Sequence, residues 1–279
     1  MVARLRIREV WKGEARAGEQ LLVYWADSEC PPPPYYKEGR AVVTFLSYAT
    51  EKWETVAGSY GTRYPTGDDE VAAYRQAVVL AKEAQHIRSQ ARRVGNRLSL
   101  EPMRVDWQVQ VSAHPATRWD GMYGLAGGAD VIHDFYDLKG RRPLRLTEAQ
   151  RARFARGFVE HPPLDSSLPT MLKVLHGYAD KQVDQAAAQS LETMFNEGRR
   201  QEWVVQAFDL LRERHGEKPK PREPLSDEEA LSEQEARDEA NGASASSIQR
   251  EWARFKKRHR LTPTSSPLSI ARRRGDSPF

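Results

Sequence analysis

Five polar residues between positions 114 and 137 form the densest set able to do chemistry: His114, Asp120, His133, Asp134 and Asp137. An imidazole and two carboxylates near helical spacing could hold a divalent cation. That pattern describes an unrecognised hydrolase or metal-dependent enzyme, but the same residues also serve as ordinary surface and capping groups ahead of Gly140. Ser28–Glu29–Cys30 offers a nucleophile, yet no neighbouring base or cation in the sequence would activate its thiol, and Pro31 follows directly. The chain carries no phosphate-cradling glycine loop, no GxSxG and no HExxH, so no catalytic, metal or cofactor motif is recognisable and the reading leans away from an enzyme. Arg118 beside Trp119, within His114–Trp119, could form a cation–π or bidentate carboxylate site, or lock a helix against its neighbours.

A second chemistry is electrostatic. Arg250–Arg274 holds nine Lys or Arg against one Glu. Such a run displaces counterions from phosphates and could bind nucleic acid, with Trp11, Trp25, Tyr35, Tyr36 and Trp53 as stacking surfaces. Upstream, Glu223–Glu239 carries eight acids against Arg237, an internal counterweight.

The elements that must position these residues follow from periodicity. The 279 residues, 39% hydrophobic and 29% charged with a formal charge of +4, allow one large domain or two modest ones plus a tail. No stretch of about 18 apolar residues suits a membrane helix. One Cys excludes an internal disulfide framework. Val2, Leu5 and Ile7 alternate with Arg4, Arg6 and Arg8, which predicts a half-buried strand near the start and no export signal. Leu21–Trp25, a well-buried Ala41–Leu46 and a short Trp53–Ala57 add strands between Gly and Pro punctuation.

Asp68–Asp69 starts a helix that runs towards Arg93. Residues 98–216 read as helical hairpins: Pro115 opens a helix carrying Trp119, Thr147–Gln150 is a capping box, and Asp165 and Asp180 begin two more. The expected fold is therefore α+β and multi-domain: a small barrel or sandwich at 1–66, a connecting helix at 67–97, an all-α domain at 98–216 and a disordered charged tail at 217–279. Within that tail, Ile248, Trp252 and Phe255 line one stripe of a possible basic helix over Ile248–His259.

The Gly and Cys spacing of the first quarter carries a resemblance. Lys12–Gly13, Gly18, Cys30 and Gly39 precede the Ala41–Leu46 strand, and Gly58–Pro65 with Tyr60, Arg63 and Tyr64 closes the set. This resembles the netrin-like module, the OB-type barrel shared with the tissue inhibitors of metalloproteinases. The resemblance implies an OB-like β-barrel in residues 1–66 that lacks the family's first strand and a partner for Cys30. Either the native start precedes Met1 and the protein is secreted or periplasmic with Cys30 paired, or the chain is a reduced cytoplasmic relative. The inhibitory N-terminal cysteine of that family has no counterpart here. The functional expectation is a non-catalytic protein-interaction module, with nucleic-acid association as the alternative. Cys30, Tyr60, Arg63, Tyr64, His114, Arg118 and Trp119 are its candidate interaction or structural residues.

Overall fold

The structure is a computed structural model that describes residues 1–27, 32–93, 101–125, 145–198, 201–218 and 248–261. It is α+β. Strands β1 (Val2–Arg6), β2 (Gln20–Tyr24), β3 (Val43–Thr44), β4 (Leu46–Ala49), β5 (Lys52–Thr55) and β6 (Thr62–Arg63) come first. Helices α1 (Asp68–Arg93), α2 (Glu101–Val111), α3 (Arg118–Leu125), α4 (Glu148–Glu160), α5 (Ser167–Val174), α6 (Lys181–Asn196) and α7 (Gln201–Arg214) follow. An eighth helix, α8, spans 248–259.

The first strand forms where alternation placed it, with exposed Val2, Arg4 and Arg6 on one face and part-buried Ala3 and Leu5 on the other. The sheet order is β1-β2-β5-β4, with β2 and β5 parallel and the other pairs antiparallel, and β3 pairs separately with β6. Phe45 joins β3 to β4: its N–H donates to Gly61 O at 2.8 Å and its carbonyl accepts from Val56 N–H at 2.9 Å. Among the described residues this sheet is open, with β1 and β4 as its edges, where an OB-like barrel is expected. The Ala41–Leu46 stretch is also less buried than expected. Only 43–44 and 46–49 are strand, and Phe45 is 44% exposed, because the chain bends there to change partners.

The chain divides into two compact units, Met1–His161 and Pro162–Phe279, rather than at residues 67 and 98. The connecting helix belongs to the first unit because side chains bind it to both neighbours. Arg75 of α1 forks onto Glu9 at 2.8 and 2.6 Å, Lys82 Nζ donates to Trp11 O at 2.9 Å, and Trp107 Nε1 of α2 donates to Ala77 O at 2.9 Å. Glycine lets α2, α3 and α4 approach one another. A Cβ on Gly121 would lie 2.5 Å from Gln108 O, and one on Gly157 would lie 2.5 Å from Ala113 Cβ. The Thr147 capping box forms in full, Gln150 N–H on Thr147 Oγ1 at 3.2 Å and Thr147 N–H on Gln150 Oε1 at 3.0 Å.

In the second unit, α6 buries Val183, Ala187, Leu191 and Met194 on the stripe that periodicity assigns, and Asp180 Oδ1 caps it through Gln182 N–H at 2.7 Å. The tail reading needs correction over 248–261. Ile248, Trp252, Phe255 and Leu261 are 8% exposed or less, so this segment is a packed helix. Composition averaged over 63 residues hides apolar anchors at i, i+4 and i+7, each worth about 1.5–3 kcal/mol when fully buried. The other tail residues, 219–247 and 262–279, lie outside the described residues.

Candidate functional site

The turn after β5 delivers two of the expected residues to α3. A 3₁₀ turn over Gly58–Gly61 leads directly into β6, which carries Tyr60 and Arg63 towards Trp119. The Tyr60 and Trp119 rings stack at 6.1 Å with 27° between planes. Arg63 stands 5.8 Å from the Trp119 ring and donates to Asp120 Oδ1 at 2.8 Å. Its other terminal nitrogen donates to Tyr60 O at 2.5 Å and Thr62 O at 3.2 Å. Tyr74 of α1 closes the cluster, its hydroxyl donating to Ala116 O at 2.6 Å. Burial pushes that phenol up to about 12, so it remains a proton donor at ordinary pH.

The cation on Trp119 is therefore Arg63, from 56 positions upstream, and not its neighbour Arg118. Consecutive helical residues do not face each other. Arg118 is 5% exposed; its Nη2 donates to His161 O at 2.5 Å and its Nε to Ser112 O at 3.4 Å. His114 lies 5.6 Å ring to ring from His161, and its Nδ1 accepts from Ala116 N–H at 3.2 Å. Burial, and then the His161 ring, push the His114 imidazole below its ordinary range. Tyr64 is bound elsewhere, its hydroxyl accepting from Tyr35 N–H at 2.6 Å. Burial raises that hydroxyl as well.

Three of the named residues, Tyr60, Arg63 and Trp119, thus meet at one place. Arg118 and His114 meet His161 at another, and Tyr64 stands apart. Cys30, His133, Asp134 and Asp137 lie outside the described residues. Among the described residues no three His, Cys, Asp or Glu come together in a way that could hold a metal ion. In chemical terms the Arg63 cluster is a clamp: carboxylate and carbonyl oxygens already occupy the guanidinium, and the arrangement fixes β6 to α3.

Sequence reasoning passed over a hydroxyl hub. Tyr36 Oη lies 3.2 Å from Thr44 Oγ1, 3.0 Å from Thr55 Oγ1 and 3.5 Å from Thr62 Oγ1. Thr44 and Thr62 are cross-strand partners, and one Thr on each of three strands was the available signal.

A surface feature was also missed. Register places Val2 opposite Tyr24, Arg4 opposite Leu22 and Arg6 opposite Gln20, all on one face. Lys52 on β5 lies 5.4 Å from the Tyr24 ring. Val2 is 53% exposed and Leu22 46%. The opposite face carries part-buried Leu5, Leu21 and Trp53 and fully buried Val23. Of the nine large hydrophobics exposed among the described residues, Val2, Leu22 and Tyr48 lie in strands of the four-stranded sheet, and Tyr48, opposite Trp53, is on the other face from Val2 and Leu22. No described helix is long and apolar enough to cross a membrane. A scan against models of protein families, a search of curated proteins and a search of solved structures each find no match to this chain.

Proposed function

We propose that this chain is a non-catalytic protein-interaction module whose recognition surface is the outer face of the N-terminal sheet. The observation that carries the reading is a pair of exposed apolar side chains on that face, Val2 and Leu22, set among Arg4, Arg6 and Lys52. Contiguous apolar exposure rimmed by charge marks a contact surface in a water-soluble domain. The partner's matching face carries apolar anchors with an acidic rim. Arg75–Glu9 ties the segment just after β1 to α1, and Arg63–Asp120 ties β6 to α3, which restrains the neighbourhood of this face before it binds.

We infer further that residues 1–66 derive from an OB-type barrel of the netrin-like kind that lacks its first strand, so that the described sheet is open. Support comes from left-handed turn glycines at Gly13, Gly18 and Gly39 and from the bend at Phe45, a device by which sheets curl. An intact mass measurement on the endogenous protein tests the associated pairing of Cys30 and the native start.

The test of the main reading is a matched set of surface variants. Leu22→Glu and the pair Arg4→Glu/Arg6→Glu are expected to abolish recovery of the protein's specific co-purifying partner while leaving the melting temperature unchanged. Val79→Glu, at an exposed apolar position on α1, should leave recovery intact. Equal recovery with every variant would contradict the reading.

One observation favours nucleic-acid association as a second reading. On α8, Arg250, Arg254 and Lys257 are exposed on the side away from its buried anchors. Phosphate binding there would weaken steeply with salt and fall when Arg250, Arg254 and Lys257 become Ala.

A further inference from the structure

The helix over 248–259 packs against α6 and α7 through aromatic contacts and ion pairs. Residues 215–247 separate it from the end of α7. Its apolar side enters an aromatic floor. The Trp252 ring is edge-on to Phe208 at 5.4 Å and lies 6.1 Å from Phe195, and Phe255 is edge-on to Phe208 at 5.3 Å. Two carboxylates flank that floor. Glu192 of α6 accepts from Trp252 Nε1 at 2.7 Å and from Lys256 Nζ. Glu217, just beyond α7, accepts from Arg258 Nη2 at 2.8 Å and binds His259 Nε2 at 2.8 Å. Anchors at i, i+4 and i+7 in an apolar groove, with cations read by acids at its rim, are the signature of helix-in-groove recognition.

We propose that the α6–α7 groove is a receptor site for a basic amphipathic helix, and that residues 248–261 are its resident ligand. The partner it fits is a helix of another protein with an aliphatic residue, Trp and Phe at i, i+4 and i+7. Lys or Arg at i+8 and i+10 of that helix would meet Glu192 and Glu217. Such a helix exchanges with the resident one. This groove lies in the second unit and is independent of the sheet face, so failure of either reading leaves the other standing.

Hydrogen exchange on the unmodified full chain tests the resident's status. Amides of 248–261 are expected to exchange at least ten-fold faster than the core amides of α6 and α7, as a separate opening unit. Exchange of all three helices together would overturn the proposal. A fluorescent synthetic peptide of residues 246–262 then probes the groove in the full-chain variant Trp252→Ala/Phe255→Ala. Saturable binding at least ten-fold tighter than to the unmodified chain, lost when the peptide carries the same two substitutions, supports it. No binding to the folded variant, or a variant in which α6 and α7 no longer fold, overturns it, because the helix would then be an integral part of the core.

Discussion

Arg63 and Asp120 meet at 2.8 Å although 57 positions separate them, and this contact joins β6, of the two-stranded β3–β6 pair, to α3. The guanidinium also holds the carbonyls of Tyr60 and Thr62 and lies beside the Trp119 ring, so its removal breaks several bonds at once. Arg63→Ala is expected to lower stability by about 2 kcal/mol, as for charged hydrogen bonds at a partly exposed site. Asp120→Asn keeps an acceptor and should cost about 1 kcal/mol. Urea unfolding of the two variants and the double variant checks this. Additive losses would mean the pair does not interact.

Gly121 sits where α3 crosses α2, and an added Cβ would lie 2.5 Å from Gln108 O and 2.7 Å from Ser112 N. Both are backbone atoms of a helix and cannot move aside like a side-chain tip. Gly121→Ala should destabilise the first unit by about 2 kcal/mol, the usual scale of overpacking. Gly177→Ala, whose Cβ meets nothing within 4 Å but whose φ is +75°, should cost less, about 1 kcal/mol from backbone strain alone. Calorimetric melts of the two variants would rank them in this order.

Thr50 and Glu51 form the two-residue turn between β4 and β5 with φ of 47° and 60°. Such a turn favours Asn-Gly, and a β-branched residue there is strained. Thr50→Asn/Glu51→Gly is therefore expected to stabilise the first unit by about 1 kcal/mol, read as a higher urea midpoint with an unchanged slope.

The second unit should loosen in acid. Burial alone would raise the Glu217 carboxyl, but bonds from His259 and Arg258 outweigh it and hold the group down to about 2, against an ordinary 4.5. A depressed carboxylate contributes stability that is complete above its unfolded value and is lost as pH falls from about 4.5 to about 2. Glu192 acts in the same direction: Lys256 and Trp252 hold its carboxyl down against the effect of burial. His215 adds an earlier loss, since burial keeps its imidazole below the ordinary 6.5 and the unfolded chain takes up that proton first. Urea midpoints at pH 7, 5 and 3 should fall in that order. Glu217→Gln should flatten the change between pH 5 and pH 3, and an unaltered slope there would contradict the assignment.

Local signals in the sequence translate into this fold where one element decides the matter. The Thr147 box, the Asp180 cap and the β1 alternation depend on residues within four positions of each other, and each stands in the structure. The Ala41–Leu46 stretch differs because its hydrophobicity is local while its partners, Gly61 and Val56, are set by the tertiary bend at Phe45. Arg118 and Trp119 are adjacent in sequence, but helical projection sends them to different neighbours, and the cation that Trp119 receives comes from β6. The packing of α8 needed Glu192 and Glu217 as well as its own stripe, and those carboxylates are 64 and 42 residues from Lys256 and His259. Pairings of that span leave no mark in a window of ten residues.

The central claim, that the outer sheet face receives a protein partner, is tested most directly by site-specific photo-crosslinking in the native cell extract. A photoreactive phenylalanine at Leu22, within the exposed face, is compared with the same residue at Val79 on α1. The account predicts one discrete crosslinked protein from position 22, competed away by excess unmodified chain, and none from position 79. An absence of adduct at position 22, or the same adducts at both positions, would contradict it.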